Sequence, residues 1–412
     1  MTTSTESAMT AALAAAGPGG GDFDPLAPEF IADPHAALHE MRERCPVAWS
    51  GRWGGFYALT RREDVVEVAR RHKEFISSVL HIVPPGQAGN TRPLMHCDQP
   101  EHTSFRDAML PVFGGPRGEQ IAPDVRAHAV RLVADLAARG SADLVRDYAC
   151  PLMSYTLARF LGMDHPGAPE ELNRWITQYV EAGQVRDSER VGEAHEALVR
   201  LASDLVADRR ERPRDPESDL ATALVQARRG GEPLDPDKIV GAIRQPFIIV
   251  WLATSHSVGN MLRRLAEDGA LQETLRREPE LIEQALEEFL RLDMPQIGFA
   301  RSTVADVEIG GRLIPAESPV AMVFPAANRD PDVFENPDEF RIGRSPNPHL
   351  TFGAGIHSCP GKSIARATVL SALEAIITGT GDLSVNGEVV PEHWPFRAVR
   401  TLPVAIAPPA AP

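Results

Sequence analysis

Phe352-Gly-Ala-Gly-Ile-His357-Ser-Cys359-Pro-Gly361 decides the reading of this 412-residue chain, because these ten residues can build a pocket for a metal-bound thiolate. A cysteine that serves as a permanent ligand must be deprotonated, shielded from oxidation and approached by backbone N–H groups that moderate the charge on sulfur. Gly353 and Gly355 permit a tight backbone path that a Cβ would obstruct. Phe352 can cover the sulfur. Pro360 suits a first helical position, and Ile364, Val369, Leu370, Leu373, Ile376 and Ile377 follow at helical spacing, which places Cys359 at a helix N-terminus where partial positive charge favours thiolate.

Composition narrows the alternatives. With 43% hydrophobic and 24% charged residues, the chain is globular and long enough for a substantial core. Four cysteines, at 45, 97, 150 and 359, show no close pairing, which fits a reducing, cytoplasmic compartment better than a disulfide framework. Residues 1–22 are rich in Ala, Gly, Ser and Thr, contain no Lys or Arg, and read as a disordered tail; residues 23–412 are expected to form one catalytic domain. The longest strongly apolar run, Phe247 to Ala253, falls far short of the roughly 20 residues of a membrane span. A net charge of −15 argues against nucleic acid as a partner.

Helical patterns dominate the chain: 34–45, 61–72, 119–139, 168–182, 193–212 and 236–268. Asp33-Pro34 and Asp235-Pro236 each offer an N-cap followed by proline at the first helical position. Short strands are expected at 56–60, 307–314 and 319–324, the middle one turning at Gly310-Gly311. Residues 209–218 read as a surface loop. The fold class is mainly α with a smaller β portion.

The cysteine loop, Phe-Gly-x-Gly-x-His-x-Cys-x-Gly, resembles the ligand loop of the cytochrome P-450 haem-thiolate monooxygenases, in which the cysteine coordinates haem iron. The resemblance covers about residues 23 to 408. It implies the fold of that family: a triangular helical body with haem b between a long distal helix and the proximal loop, Cys359 being the axial ligand and Phe352, Gly353 and Gly361 shaping its pocket. Glu288-Phe-Leu-Arg291 matches the family's Glu-x-x-Arg pair. Asn328-Arg329-Asp330-Pro331 and Phe340-Arg341 are similar to the meander that supports it, so Glu288, Arg291 and Arg329 are expected to be structural supports. The haem propionates call for cationic partners. By the same resemblance these are His102 and Arg106, four apart on one helix, with Arg301 and His357.

The distal helix departs from the family. Ala/Gly-Gly-x-Asp/Glu-Thr is usual there, whereas this chain has Val250-Trp-Leu-Ala-Thr254-Ser-His-Ser-Val-Gly-Asn260. With Thr254 as the alcohol, the acid becomes Ala253 and the glycine Trp251; a shift by one residue puts Ala253 at the alcohol and Leu252 at the acid. Neither register restores a carboxylate, and Pro246 is expected to kink the helix. General acid transfer contributes about a hundredfold to ten-thousandfold, so water held by Thr254, Ser255 or His256, or the substrate itself, must serve, or else the reaction differs. Thr254, Ser255 and Ala253 are the candidate catalytic positions, and His256 is read as facing a neighbouring helix. By family analogy, 79–83, Trp251, Ala253, 294–299 and 394–396 line the substrate pocket. His81, Trp251, Gln296, Ile297, Phe299 and Phe396 are the candidate contacts.

No flavin or iron–sulfur segment is evident, so a separate ferredoxin and ferredoxin reductase are implied as electron donors to a monomeric enzyme without a membrane anchor. Lys362, Arg366, Arg344 and Arg117 are expected to present positive charge to that ferredoxin. The function expected is monooxygenation of a small organic substrate, aromatic or of secondary metabolism. The alternatives are aromatic nitration or oxidative coupling at an unusual distal site and, in a different class, a non-catalytic haem or zinc binder. Zinc needs about four N/S ligands, and only His357 lies near Cys359 in sequence.

Overall fold

A computed structural model of the chain describes residues 22–85, 92–114 and 116–409. The expected N-terminal tail, apart from Asp22, lies outside them. Helices form most of the architecture, and the six expected from sequence are present at Pro34–Arg44, Arg62–Arg70, Arg117–Arg139, Ala168–Gln184, Ser188–Glu211 and Pro236–Glu267. Asp33 caps the first of these by accepting the N–H groups of His35 and Ala36, and Asp235 caps the last through Asp237 and Lys238. In each case proline follows at the first helical position, where its missing N–H costs nothing.

A five-stranded sheet runs in the order Val47–Ser50, Phe56–Leu59, Pro319–Met322, Ala300–Thr303, Phe75–Ile76. All its pairings are antiparallel except that of 319–322 with 56–59. Val307–Ile309 and Arg312–Ile314 form the expected hairpin. Gly310 and Gly311 both take positive φ, 54° and 77°, as a two-residue turn of type I′ requires. The main core joins the 117–139, 236–267 and 362–379 helices with Glu101–Phe113, Cys150–Leu161 and Leu281–Leu292.

One local expectation is corrected. The helix after the cysteine begins at Lys362 with Gly361 as its N-cap, so Pro360 lies in the preceding turn rather than at the first helical position, and Cys359 sits two residues ahead of the N-cap. The 236–267 helix carries Pro246 in its interior, where the ring removes one N–H donor, and continues through it as one element of 32 residues, most of its length buried.

Candidate active site around Cys359

The cysteine loop is held by hydrogen bonds at both ends. Asn328 Oδ1 accepts the N–H of Leu350 at 2.6 Å, Thr351 Oγ1 donates to the carbonyl of Leu290 at 2.7 Å, and the Cys359 N–H closes on the carbonyl of Phe352 at 2.8 Å. Gly355 has φ of 68°, and a Cβ there would stand 2.0 Å from the Ala69 carbonyl oxygen, so only glycine fits. Phe352 lines the cavity in front of the sulfur, and the Arg366 guanidinium lies 4.6 Å from its ring centre. Burial raises the Cys359 thiol above its ordinary range, opposed by the Gly361 N–H and by Arg106, Lys362 and Arg366. The helix end therefore does not make the thiolate by itself, and a bound cation would complete the balance.

Glu288 and Arg291 are both fully buried and joined at 2.7 and 2.9 Å. Arg291 also donates to the carbonyls of Asn328, Pro337 and Glu339, tying its helix to the segment before the cysteine loop. The second cation on Glu288 is Arg344, whose Nε reaches it at 3.0 Å. Arg329 pairs with Asp338, within the segment that Arg291 holds, whereas Arg344, expected as a docking cation, is the residue that reaches Glu288. Sequence spacing does not show this, because the meander loops back only in three dimensions.

The four expected anion partners gather on one side of the cavity. Arg106, Arg301 and His357 line it, while His102 is buried directly behind with its ring 4.3 Å from that of His357. Arg106 donates to the Ser358 carbonyl at 2.9 Å and Arg301 to the Ala300 carbonyl at 2.7 Å, and His357 bonds to Leu94 and Ser77. The buried Nε2 of His102 has no partner. Burial lowers Arg301 to about 10, and Asp98, the carboxylate acting on it, is already taken by the N–H groups of Ser77 and Ser78. Burial and then neighbouring cations bring His102 to about 4 and His357 to about 3. Two guanidiniums beside two neutral imidazoles, one with an orphan ring nitrogen, offer N–H donors suited to carboxylates, so the donor set fits a haem whose carboxylates these four residues would hold and whose iron Cys359 would ligate.

Across the cavity stands the 236–267 helix. Gln245, Pro246, Ile249, Val250, Ala253, Thr254 and Ser257 face inward, a helical repeat that defines the distal face. Ser255 is turned away and donates to the Trp251 carbonyl, which corrects its expected catalytic placement. Ser257, passed over in the sequence reading, lines the cavity and donates to the Ala253 carbonyl at 2.7 Å. A third register would have found it: with Ser257 as the alcohol, the segment reads Ala253-Thr254-Ser255-His256-Ser257, and histidine occupies the acid position. His256 itself packs edge-on against Phe396 at 5.4 Å, outside the cavity lining. Among the described residues, no carboxylate lines the cavity.

Of the candidate substrate contacts, His81, Gln296 and Phe299 line the cavity. Trp251, Ile297 and Phe396 do not. Trp251 is buried in the main core with its indole N–H on Ser154 Oγ at 2.8 Å, Ile297 is buried under the N-terminal helices, and Phe396 lies against His256. Helical phase explains the first of these, since position 251 falls between the inward residues 250 and 253.

The family model for cytochrome P450 matches residues 184–378. Steroid C26-monooxygenase of Mycolicibacterium smegmatis is 30% identical over 377 residues, 86% of each chain. The chain belongs to the cytochrome P450 family. It is accordingly an oxidoreductase of the monooxygenase type. Linalool 8-monooxygenase of Pseudomonas putida is 27% identical over 363 residues, covering 84% of this chain and 88% of that one. The solved structure of cytochrome P450 CYP109Q5 from Chondromyces apiculatus superposes with a TM-score of 0.83 at 28% identity, over 94% of this chain and 99% of that one. Among the described residues, no helix is long and apolar enough to cross a membrane, and no group of three or more His, Cys, Asp or Glu side chains is placed to hold a metal ion.

Proposed function

We propose that this P450 oxidises a small, largely apolar molecule at a haem b held by the Cys359 thiolate, with His102, Arg106, Arg301 and His357 receiving the propionates. The observation that carries it is one cavity joining Cys359, the cationic side and the hydroxyls of the distal helix. When bound, the haem supplies activation of dioxygen, with the thiolate pushing electron density toward O–O cleavage. Thr254 and Ser257 are the hydroxyls on the distal face able to hold a proton and pass it along ordered water. Apolar side chains from Met153, Leu157, Ile249, Val250, Met294 and Phe299 exclude bulk water from that face. The buried Oε1 atoms of Gln245 and Gln296 both line the cavity without a partner, so a hydroxyl or amine on the substrate would be satisfied there. The relatives named above act on linalool and on a steroid, which supports an apolar substrate class.

Electrons from a ferredoxin, itself reduced by a ferredoxin reductase, would enter on the cysteine side. Of the expected docking cations, Lys362 is exposed, whereas Arg344 is spent on Glu288, Arg366 is held bidentately by Glu287, and Arg117 is half-buried against Phe160. The missing distal carboxylate supports a second reading, coupling or nitration of an aromatic substrate without oxygen insertion. Turnover under isotopically labelled dioxygen separates the two: label in the product supports monooxygenation, and turnover without label overturns it.

A further inference from the structure

A second cleft lies apart from the haem cavity, where the start of the 34–44 helix meets the last third of the distal helix. Its lining includes His35, Arg264, Asp293, Arg329 and Arg397. Asn260 at its edge donates to the carbonyls of both Asp293 and Arg397, at 3.0 and 2.7 Å, so the distal helix is stitched to the chain on either side.

The hydrogen bonds leave a definite deficit. Arg397 Nη1 donates to His35 Nε2, and its Nη2 to the Leu292 carbonyl at 2.6 Å. An imidazole nitrogen that accepts from a guanidinium carries no proton, so the His35 ring is neutral and its N–H is at Nδ1. Burial and the neighbouring Arg397, Arg329 and Arg264 hold the ring well below its ordinary range, consistent with that tautomer. His35 Nδ1–H, Arg397 Nε–H and Arg329 Nε–H are all buried, and none has an acceptor. Among the described residues, three orphan donors thus border one cleft and no orphan acceptor does.

The charges lean the same way. Arg264 is neutralised bidentately by Asp293, at 2.7 Å on each oxygen, and Arg329 by Asp338, whose carboxylate is mostly exposed. Among the described residues, Arg397 has no carboxylate within hydrogen-bonding distance. The carboxylates of the rim are engaged elsewhere: Asp33 and Asp268 cap helices, and Glu267 pairs with Arg263. A half-buried guanidinium with no carboxylate in hydrogen-bonding reach, Asp293 acting on it only from farther off, is complementary to an oxyanion together with the neutral N–H donors beside it.

We propose that this cleft binds a small oxyanion, a carboxylate or a phosphate group, through His35, Arg397 and Arg329. The occupant ties together three segments: the start of the 34–44 helix, the turn that carries Arg329 after residues 324–327, and the segment leading to the last strands. Isothermal titration of the full-length holoprotein with potassium phosphate and, separately, potassium acetate at constant ionic strength tests it. Saturable one-site binding of either anion is expected, and the preferred one tells phosphate from carboxylate. Loss of one donor in His35→Ala should weaken binding about tenfold or more. Arg329→Gln, which retains the other two donors, serves as a second variant should the first fail to fold. No saturable binding of either anion, or binding unchanged in both variants, overturns the proposal.

Discussion

Replacing Glu288 by glutamine should cost this protein a large part of its stability. The carboxylate is fully buried and accepts five hydrogen bonds: two from Arg291 at 2.7 and 2.9 Å, one from Arg344 at 3.0 Å, one from the Arg341 backbone N–H at 3.0 Å and one from Asn347 at 3.1 Å. Burial alone would raise its pKa, but Arg291, the Arg341 N–H and Arg344 outweigh that and hold it below the ordinary carboxylate value. An amide has the same shape and half the acceptor capacity. Its NH₂ would face guanidinium donors, and both arginines would lose their counter-charge in a dry site. Breaking a buried ion pair from one side costs about 3–5 kcal/mol, against a total stability of about 5–15 kcal/mol for a folded protein. Urea denaturation followed by circular dichroism should therefore show a loss of about 3–5 kcal/mol in Glu288→Gln, with haem released at lower urea than in the parent. Arg344→Ala should lose less, because the three carbonyls that Arg344 bonds, of Glu335, Asn336 and Glu339, are exposed enough to find water. A Glu288→Gln variant within about 0.5 kcal/mol of the parent, the range of an ordinary surface change, would refute the view that charge balance at this carboxylate holds the segment before the cysteine loop.

Three other outcomes follow from the site. His256 is kept near pKa 4 by burial and then by Arg400, below the roughly 6.5 of an unfolded chain. A lowered histidine contributes stability that is present above 6.5 and lost as pH falls toward 4, so His256→Gln should lose about 2 kcal/mol less than the parent between pH 7 and pH 5, measured from urea midpoints. An identical acid loss in both proteins would contradict that. Gln296→Leu should weaken a substrate bearing a hydroxyl or amine by about 1–3 kcal/mol, read from its spin-state titration, while an apolar analogue binds as before; equal effects on both would refute the polar anchor. Lys362→Glu should slow reduction by ferredoxin at low salt and converge with the parent at high salt, and rates that coincide at low salt would remove Lys362 from the docking surface.

Much of this was legible in the sequence where the physics is local. Asp-Pro caps announced two helices, and the double glycine at 310–311 announced a hairpin, because each is decided by neighbouring φ angles and N–H groups. The cysteine loop was legible for the same reason. What required the fold was anything set by phase or by return of the chain. Ser255 and Ser257 look alike in sequence, yet one bonds back to its own helix away from the cavity and the other lines it. Arg329 and Arg344 both follow the Glu288 helix, and only the path of the meander decides which one reaches the carboxylate. Trp251 looked like a substrate wall, but its indole N–H found Ser154 in the core.

The central claim is that Cys359 holds haem as a thiolate, and the spectrum of the reduced, carbon monoxide-bound protein tests it most directly. A Soret band at the red-shifted position of thiolate-ligated haem, lost in Cys359→Ala, is the predicted result. Purified protein that takes up no haem, or a band at the histidine-ligated position that survives the substitution, would contradict it.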